Sequence, residues 1–160
     1  MSARNDSIEF RNAIAFWKKY QNVSPLALKS DITLRFATKY VIILCSEGCV
    51  SMGKEILQAA KQPEPISNAS TYYALLDLGL IDEAFAKRMA HLAYMRNDLA
   101  HQYGEADVEK LSSVLHSELR AVAMFQQMGL KWERKYHVHT TFSQIVGGKG
   151  FLSVLRSLFS

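Results

Sequence analysis

The stretch "SDITLRFATKYVIILCSEGCVSMGKEILQAAKQPEP", residues 30–65, decides the fold. Ser30 or Asp31 can cap a long helix at its start, and Pro63 and Pro65 mark where that helix has ended. Between them the apolar residues recur at helical spacing, at Leu34, Phe36, Val41, Ile43, Leu44, Val50, Ile56 and Leu57. So wide an apolar face predicts the central helix of a bundle, because such a helix is covered on most sides.

Shorter helical patterns lie before and after this stretch. Asp6 followed by Glu9 is a capping-box-like start to a first helix. Its apolar stripe consists of Phe10, Ala13, Ile14, Trp17 and Tyr20. Downstream, "NASTYYALLDLG", residues 68–79, indicates a short helix that Gly79 closes. The central helix therefore has one helix on each side of it in the chain.

The second half of the chain contains two longer helical patterns. Asp82 can cap a helix that continues through "DEAFAKRMAHLAYMRNDLAHQY", residues 82–103, and Gly104 interrupts it. Asp107 can cap a last helix, which we expect to end at Gly129. Because no stretch alternates convincingly at period two, the sequence predicts an all-α, antiparallel four- to five-helix bundle over residues 1–130.

The length of 160 residues fits one domain, and no segment fits a membrane span. The longest purely apolar run, residues 40–45, is far shorter than the roughly 20 residues that a spanning helix needs. The start of the chain has no apolar signal-peptide region. We therefore expect a cytoplasmic protein that does not act at a membrane.

The net charge of +4 comes from the end of the chain. Residues 131–160 contain five basic residues and one acidic residue, so the first 130 residues are neutral, and RNA contact there must be local or made by paired subunits. We expect residues 131–160 to be a basic appendage in which "FLSVLRSLFS", residues 151–160, forms a short amphipathic helix. That helix can dock on its own bundle or on a second copy. A membrane-surface role fits less well, because its polar face has a single arginine.

The cysteines and histidines do not form a recognisable metal motif. Cys45 and Cys49 lie four residues apart within the helical pattern and are predicted to be reduced core residues. The segment "HVH", residues 137–139, could contribute to a metal site but has no clear partners in the sequence. We expect no metal and no cofactor.

One charged residue interrupts the apolar pattern of its helix. In "YMRNDLAHQYGEAD", residues 94–107, Arg96 falls in the middle of an apolar sector. The sector consists of Phe85, Met89, Leu92 and Leu99. A buried guanidinium is costly unless it is paired, so Arg96 must lie at a cleft, pair with a carboxylate or await an anion.

Three more polar residues follow Arg96 closely. Asn97 and His101 are four residues apart and share a helix face, while Tyr103 lies seven residues after Arg96. Arg96 and His101 are about 140° apart on an ideal helix. They therefore converge only if the arginine curls round, the helix loosens near Gly104 or a second subunit completes the site.

These residue types suit the cleavage of RNA without a metal. A histidine can take a proton from a ribose 2′-hydroxyl at neutral pH, and an arginine can donate a fork of hydrogen bonds to the phosphate. The leaving 5′-oxygen then needs an acid. A second His101 across a two-fold axis could supply it, which favours a symmetric dimer.

At these residues the sequence resembles the HEPN superfamily and, within it, the HepT-like toxins of the HEPN/MNT toxin–antitoxin systems. "RNDLAHQY", residues 96–103, fits their R-x-x-x-x-H-x-Y motif, and the similarity covers residues 7–128. The resemblance implies a homodimeric helical bundle with the motif in an intersubunit cleft. It also implies metal-independent ribonuclease activity and neutralisation by a partner nucleotidyltransferase, the MNT-type antitoxin, which adds AMP to the motif tyrosine.

The resemblance also assigns roles by position. It makes Arg96 and His101 catalytic, Asn97 a supporting polar residue and Tyr103 the residue that receives AMP. Two other classes of function stay open on the sequence alone. The chain could be a non-catalytic HEPN module that presents a substrate or nucleotide to a nucleotidyltransferase, or a helical interaction protein without an active site.

Overall fold

The structure is a computed structural model that describes residues 2–101 and 108–136, most of them in seven helices. The first three are α1 (Ser2–Tyr20), α2 (Pro25–Ser30) and α3 (Ile32–Ala59). They are followed by α4 (Asn68–Asp77), α5 (Glu83–His101), α6 (Val108–Ser117) and α7 (Leu119–Tyr136). The described residues contain no strand, which confirms the all-α prediction, although the helices outnumber the four or five expected.

The helix α3 is central, as predicted, because it contacts each of the other six helices. Its buried residues include the consecutive run Val41, Ile42 and Ile43, which point in three directions around the helix and so require neighbours on several sides. Cys45 and Cys49 are part of this core and form no disulfide, which confirms that they are reduced core residues.

The short helix α2 is absent from the sequence prediction. The Ser24 hydroxyl accepts a hydrogen bond from the Ala27 amide at 3.1 Å, and Pro25 occupies the first turn. Asp31 ends α2 and also caps α3, because its carboxylate accepts a hydrogen bond from the Leu34 amide at 3.0 Å. With six residues, α2 is too short to show a periodic apolar face.

The predicted last helix is divided into α6 and α7 at Glu118. The carboxylate of Glu118 accepts hydrogen bonds from Arg88 Nε at 3.1 Å and from the Ser117 hydroxyl at 2.9 Å. Arg88 also donates to the backbone carbonyl of Ser117. Because a side chain from α5 takes part in the backbone bonding here, the helix is interrupted, and the prediction of one continuous helix is wrong.

The helix α7 continues through Gly129 to Tyr136, so the predicted helix end at Gly129 is also wrong. A Cβ atom at position 129 would lie 1.8 Å from the sulfur of Met52 on α3. Gly129 therefore allows close packing of α7 on α3 rather than ending a helix. The predicted appendage begins within this helix, and its residues 137–160, with the amphipathic segment 151–160, lie outside the described residues.

The helix α5 packs against both α3 and α4. Met89, Leu92 and Leu99 are fully buried and Phe85 is half-buried, which confirms the apolar sector predicted for this helix. This arrangement turns Arg96 toward the core. Among the described helices, none has the length and apolar character that crossing a membrane requires.

Candidate active site

Arg96 lies on the core side of α5, between the buried residues Leu92 and Leu99. Its side chain is only 14% exposed. A guanidinium in this position has lost most of its hydration, so it needs opposite charge and hydrogen-bond acceptors from the protein.

Glu47 of α3 supplies the opposite charge. Its carboxylate accepts a hydrogen bond from Nη2 of Arg96, and its side chain is 30% exposed. Of the three situations that the sequence allows for Arg96, the structure contains the pair with a carboxylate. Both side chains keep some exposure, so the pair lies at the edge of the core.

Asn97 contacts the same guanidinium, since Arg96 Nη1 donates a hydrogen bond to Asn97 Oδ1 at 3.1 Å. Arg96 Nε is buried and has no hydrogen-bond partner among the described residues. A guanidinium has five N–H donors, and these two contacts engage two of them. An unsatisfied buried donor costs about 1–3 kcal/mol, so Arg96 is stabilised by any water or anion that reaches it.

His101 lies in the last turn of α5 with its ring exposed. It follows Arg96 by five residues, which places it about 140° further round the helix. Within the described residues, Asn97 and Glu47 bind Arg96 through a hydrogen bond and an ion pair, whereas neither kind of bond joins His101 to it. Tyr103 lies outside the described residues, so its role stays a prediction.

Tyr72 of α4 is a second buried polar group near Glu47. Its ring packs edge-on against Phe125 with ring centroids 5.4 Å apart, and its hydroxyl has no hydrogen-bond partner in the described part of the chain. Burial raises the pKa of Tyr72 well above its usual value, and the neighbouring Cys49 and Glu47 raise it further. Tyr72 therefore stays protonated and is not a base at neutral pH.

The two cysteines are not nucleophiles. Burial raises the pKa of the Cys45 thiol and of the Cys49 thiol, so both stay in the thiol form, whereas the thiolate is the reactive form. Within the described ranges, no three His, Cys, Asp or Glu side chains are grouped to hold a metal ion. The "HVH" segment, residues 137–139, lies outside those ranges.

Comparison with known proteins identifies the family. Residues 10–128 match the family described as ribonuclease HepT-like. This chain belongs to the HepT-like ribonuclease family. The match confirms the family that the R-x-x-x-x-H-x-Y pattern indicates, and the matched residues include Glu47 as well as Arg96 and His101.

A solved structure has a similar fold. It is described as "Crystal structure of the toxin-antitoxin with AMP-PNP" and superposes with a TM-score of 0.69 at 19% sequence identity. The likeness covers 79% of this chain and 96% of that chain, so it extends over nearly the whole of the other protein. The comparison with curated proteins found no match.

Glu47 is the site residue that the sequence analysis did not identify. It is the only charged residue between Lys39 and Lys54, inside the most apolar stretch of the chain. An isolated acid in one helix and an isolated arginine in the apolar sector of another together indicate an ion pair. The two residues are 49 positions apart in the sequence, so their contact depends on how α3 packs against α5.

Proposed function

We propose that this HepT-like chain is the ribonuclease toxin of a toxin–antitoxin pair. It cleaves RNA without a metal and leaves a 2′,3′-cyclic phosphate and a 5′-hydroxyl. The observation that carries the proposal is the state of Arg96, which Glu47 and Asn97 hold in place while its buried Nε has no partner among the described residues. A preorganised guanidinium of this kind suits a phosphate on which negative charge builds up.

The residues have distinct parts in the reaction. Arg96 binds the scissile phosphate and stabilises the charge of the transition state. The imidazole of His101 removes the proton of the ribose 2′-hydroxyl while that oxygen bonds to phosphorus. The bond from phosphorus to the 5′-oxygen breaks, and the 5′-oxygen takes a proton from the protonated His101 of a second copy.

A homodimer fits this scheme, because no hydrogen bond or ion pair joins His101 to Arg96 among the described residues of one chain. A partly exposed apolar strip on α3 leads to the site. Phe36 is 46% exposed and precedes Glu47 by eleven residues, which places both on one helix face, about 20° apart. Tyr40 and Leu44 lie between them and are half-buried. A second copy packed on this strip would place the two sites close together.

The antitoxin in this proposal is a nucleotidyltransferase of the MNT type that adds AMP to Tyr103. The phenol oxygen attacks the α-phosphorus of ATP, and pyrophosphate leaves. The product carries a nucleotide and a negative phosphodiester seven residues from Arg96, where it would occupy the anion site and repel RNA. The toxin–antitoxin structure of the same fold, solved with AMP-PNP, supports this pairing of partners.

The experiment that tests the activity is RNA cleavage in excess EDTA by the wild type and by His101→Ala. We expect cleavage to persist in EDTA and to fall at least about 100-fold in His101→Ala, the usual scale for the loss of a general acid or base. His91→Ala is the matched control, because His91 is an exposed histidine on the same helix. Products with 3′-hydroxyl ends, or activity that returns only with Mg²⁺, would contradict the proposal.

The experiment that tests the regulation uses Tyr103→Phe. We expect this variant to keep its ribonuclease activity but to escape neutralisation by the partner nucleotidyltransferase and ATP. Mass spectrometry of the wild type should find one AMP on Tyr103. Full neutralisation of Tyr103→Phe, together with no adduct on the wild type, would remove AMP transfer to this residue from the proposal.

One observation favours a second candidate, a non-catalytic HEPN module that presents a substrate or nucleotide to the partner enzyme. Among the described residues no hydrogen bond or ion pair joins His101 to Arg96, so in this second candidate the arginine of a monomer binds an anion without the histidine taking part. A monomer that binds RNA or nucleotide in an Arg96-dependent way, and never cleaves RNA, would support this second candidate against the first.

A further inference from the structure

The outward face of α5 carries a line of residues at seven-residue spacing. Lys87, Tyr94 and His101 fall on nearly the same side of the helix, each about 10.5 Å along the axis from the next. All three are exposed: the Lys87 side chain is 63% exposed, and Tyr94 is 60% exposed. An aromatic ring therefore lies between a cation and the proposed catalytic histidine.

The carboxylates on this face are neutralised by lysines. Glu83 pairs with Lys87 at 2.7 Å, and Asp98 pairs with Lys110 at 3.0 Å. The pair of Glu83 with Lys87 is well exposed and that of Asp98 with Lys110 is partly exposed, so each is worth little. These two acids therefore add no net negative charge to the face around Tyr94. They do not repel an RNA backbone there.

A second exposed tyrosine lies at the far end of this face. Tyr73 of α4 is 41% exposed. The pKa of the Lys87 ammonium is raised mainly by its hydrogen bond to Glu83, and Tyr73 is close enough to contribute a smaller part. Aromatic rings interspersed with cations are the pattern with which proteins bind single-stranded nucleic acids.

We propose that Tyr94 is a base-stacking residue for single-stranded RNA, and that the strand which presents its phosphate to His101 continues along this face toward Lys87. The inference rests on the proposed ribonuclease function and adds the substrate class and the path of the strand. At about 10.5 Å from His101, Tyr94 meets a base roughly one to three nucleotides from the cleaved bond, since stacked bases are about 3.4 Å apart. Stacking needs only the face of a base, so Tyr94 favours unpaired RNA without choosing a sequence.

The first test compares the steady-state cleavage of a short single-stranded RNA by Tyr94→Leu, Tyr94→Phe and the wild type. Leucine keeps the apolar bulk but has no ring face, whereas phenylalanine keeps the ring. We expect Tyr94→Leu to raise KM at least about fivefold with kcat nearly unchanged, and Tyr94→Phe to match the wild type. Tyr20→Leu, a half-exposed tyrosine on α1, is the control and should behave as the wild type.

The second test uses an RNA with abasic residues around the cleaved bond. If Tyr94 stacks on a base, the wild type and Tyr94→Leu should have the same KM for this substrate. The proposal would be overturned if the wild type and Tyr94→Leu have the same KM for intact RNA. It would also be overturned if Tyr94→Leu raises KM for the abasic RNA as much as for intact RNA. A change from dimer to monomer in Tyr94→Leu would also overturn it, because Tyr94 would then belong to an interface between copies.

Direct binding separates the failure of this inference from the failure of the ribonuclease proposal. The probe is the same short single-stranded RNA with a fluorescent label. In the His101→Ala background, Tyr94→Leu should weaken the binding of this RNA at least about fivefold, whether or not the wild type cleaves it. Cleavage by the wild type with no effect of Tyr94→Leu on KM or binding overturns the inference alone. Tyr94-dependent binding with no cleavage supports the stacking site and overturns the ribonuclease proposal.

Discussion

Two arginines of α5, Arg88 and Arg96, each pair with a glutamate from another part of the chain, and the two pairs are buried in opposite ways. In the pair of Arg88 with Glu118, the arginine is 48% exposed and the carboxylate 12% exposed. In the pair of Arg96 with Glu47, the arginine is 14% exposed and the carboxylate 30% exposed. The first pair therefore buries an anion that the protein must satisfy, and the second buries a cation.

The difference extends to the remaining hydrogen bonds. Arg88 donates both to Glu118 and to the Ser117 carbonyl, and Glu118 also accepts from the Ser117 hydroxyl. Arg96 keeps a buried Nε without a partner among the described residues. Arg88 leaves no buried donor without a partner among the described residues, which suits a structural joint between α5 and the start of α7. A pair with an unused donor suits a site that a ligand completes.

The sharpest way to break this comparison is to remove each arginine and measure ribonuclease activity. We expect Arg96→Ala to lose about 100- to 1000-fold in kcat, the scale for removing a preorganised donor from a transition state. Arg88→Ala should keep kcat within about threefold, because its partners lie at the joint between α6 and α7. Comparable losses of kcat in the two variants would show that neither pair is specific to the chemistry.

Replacing each glutamate separately by alanine should show that the two pairs contribute differently to the stability of the fold. Glu47→Ala leaves Arg96 without its charge partner, and we expect it to lower the free energy of unfolding by about 2–3 kcal/mol, somewhat below the value for a fully buried pair because Glu47 is partly exposed. Glu118→Ala leaves Arg88 half-exposed and able to hydrate, so its cost should be about 1–2 kcal/mol.

Chemical denaturation of both variants measures these costs. The double variant Glu47→Ala with Arg96→Ala is the control, because it removes both charges and should recover part of the stability that Glu47→Ala loses. The same cost for Glu47→Ala and Glu118→Ala, with no recovery in the double variant, would mean that the burial of Arg96 has no energetic consequence.

How much the sequence could predict follows from how local each feature is. The central position of α3 and the apolar sector of α5 were predicted, because helical periodicity reports burial directly. Arg96 and His101 both lie on α5, so their relative position follows from helix geometry, while their catalytic roles stay a prediction. The partner of Arg96 was missed, because Glu47 comes from α3 and the contact exists only after the helices pack.

The sequence predicts that the last helix ends at Gly129 and that it has no break at Glu118. Both errors have the same explanation. A glycine after a periodic stretch is read locally as a helix end, whereas here Gly129 makes room for Met52 of another helix. The break at Glu118 depends on Arg88, thirty residues earlier. In both cases a contact between distant residues overrides the local preference.

A smaller effect comes from the close packing of Gly129 against Met52 of α3. Gly129→Ala improves helix propensity by about 1 kcal/mol, but its Cβ would overlap the buried sulfur of Met52, and overpacking costs about 1–3 kcal/mol. We expect a net loss of about 1 kcal/mol in thermal or chemical unfolding. Gln127→Ala, exposed on the same helix, is the control and should change stability by less than about 0.5 kcal/mol. A stabilised Gly129→Ala would show that Met52 moves aside without cost.

The smallest effect concerns Tyr72, the other buried polar group near Glu47. Its hydroxyl has no hydrogen-bond partner among the described residues, while its ring contacts Phe125. Tyr72→Phe keeps the ring contact and removes only the unsatisfied hydroxyl, so we expect unfolding free energy to stay unchanged or to rise by up to about 1 kcal/mol. Ribonuclease activity should also stay unchanged, because the proposed chemistry uses the donors of Arg96 and not this hydroxyl. A loss of more than about 1 kcal/mol would show instead that the hydroxyl binds an ordered water near Glu47. A drop in activity with that loss would extend the polar site around Arg96 as far as α4.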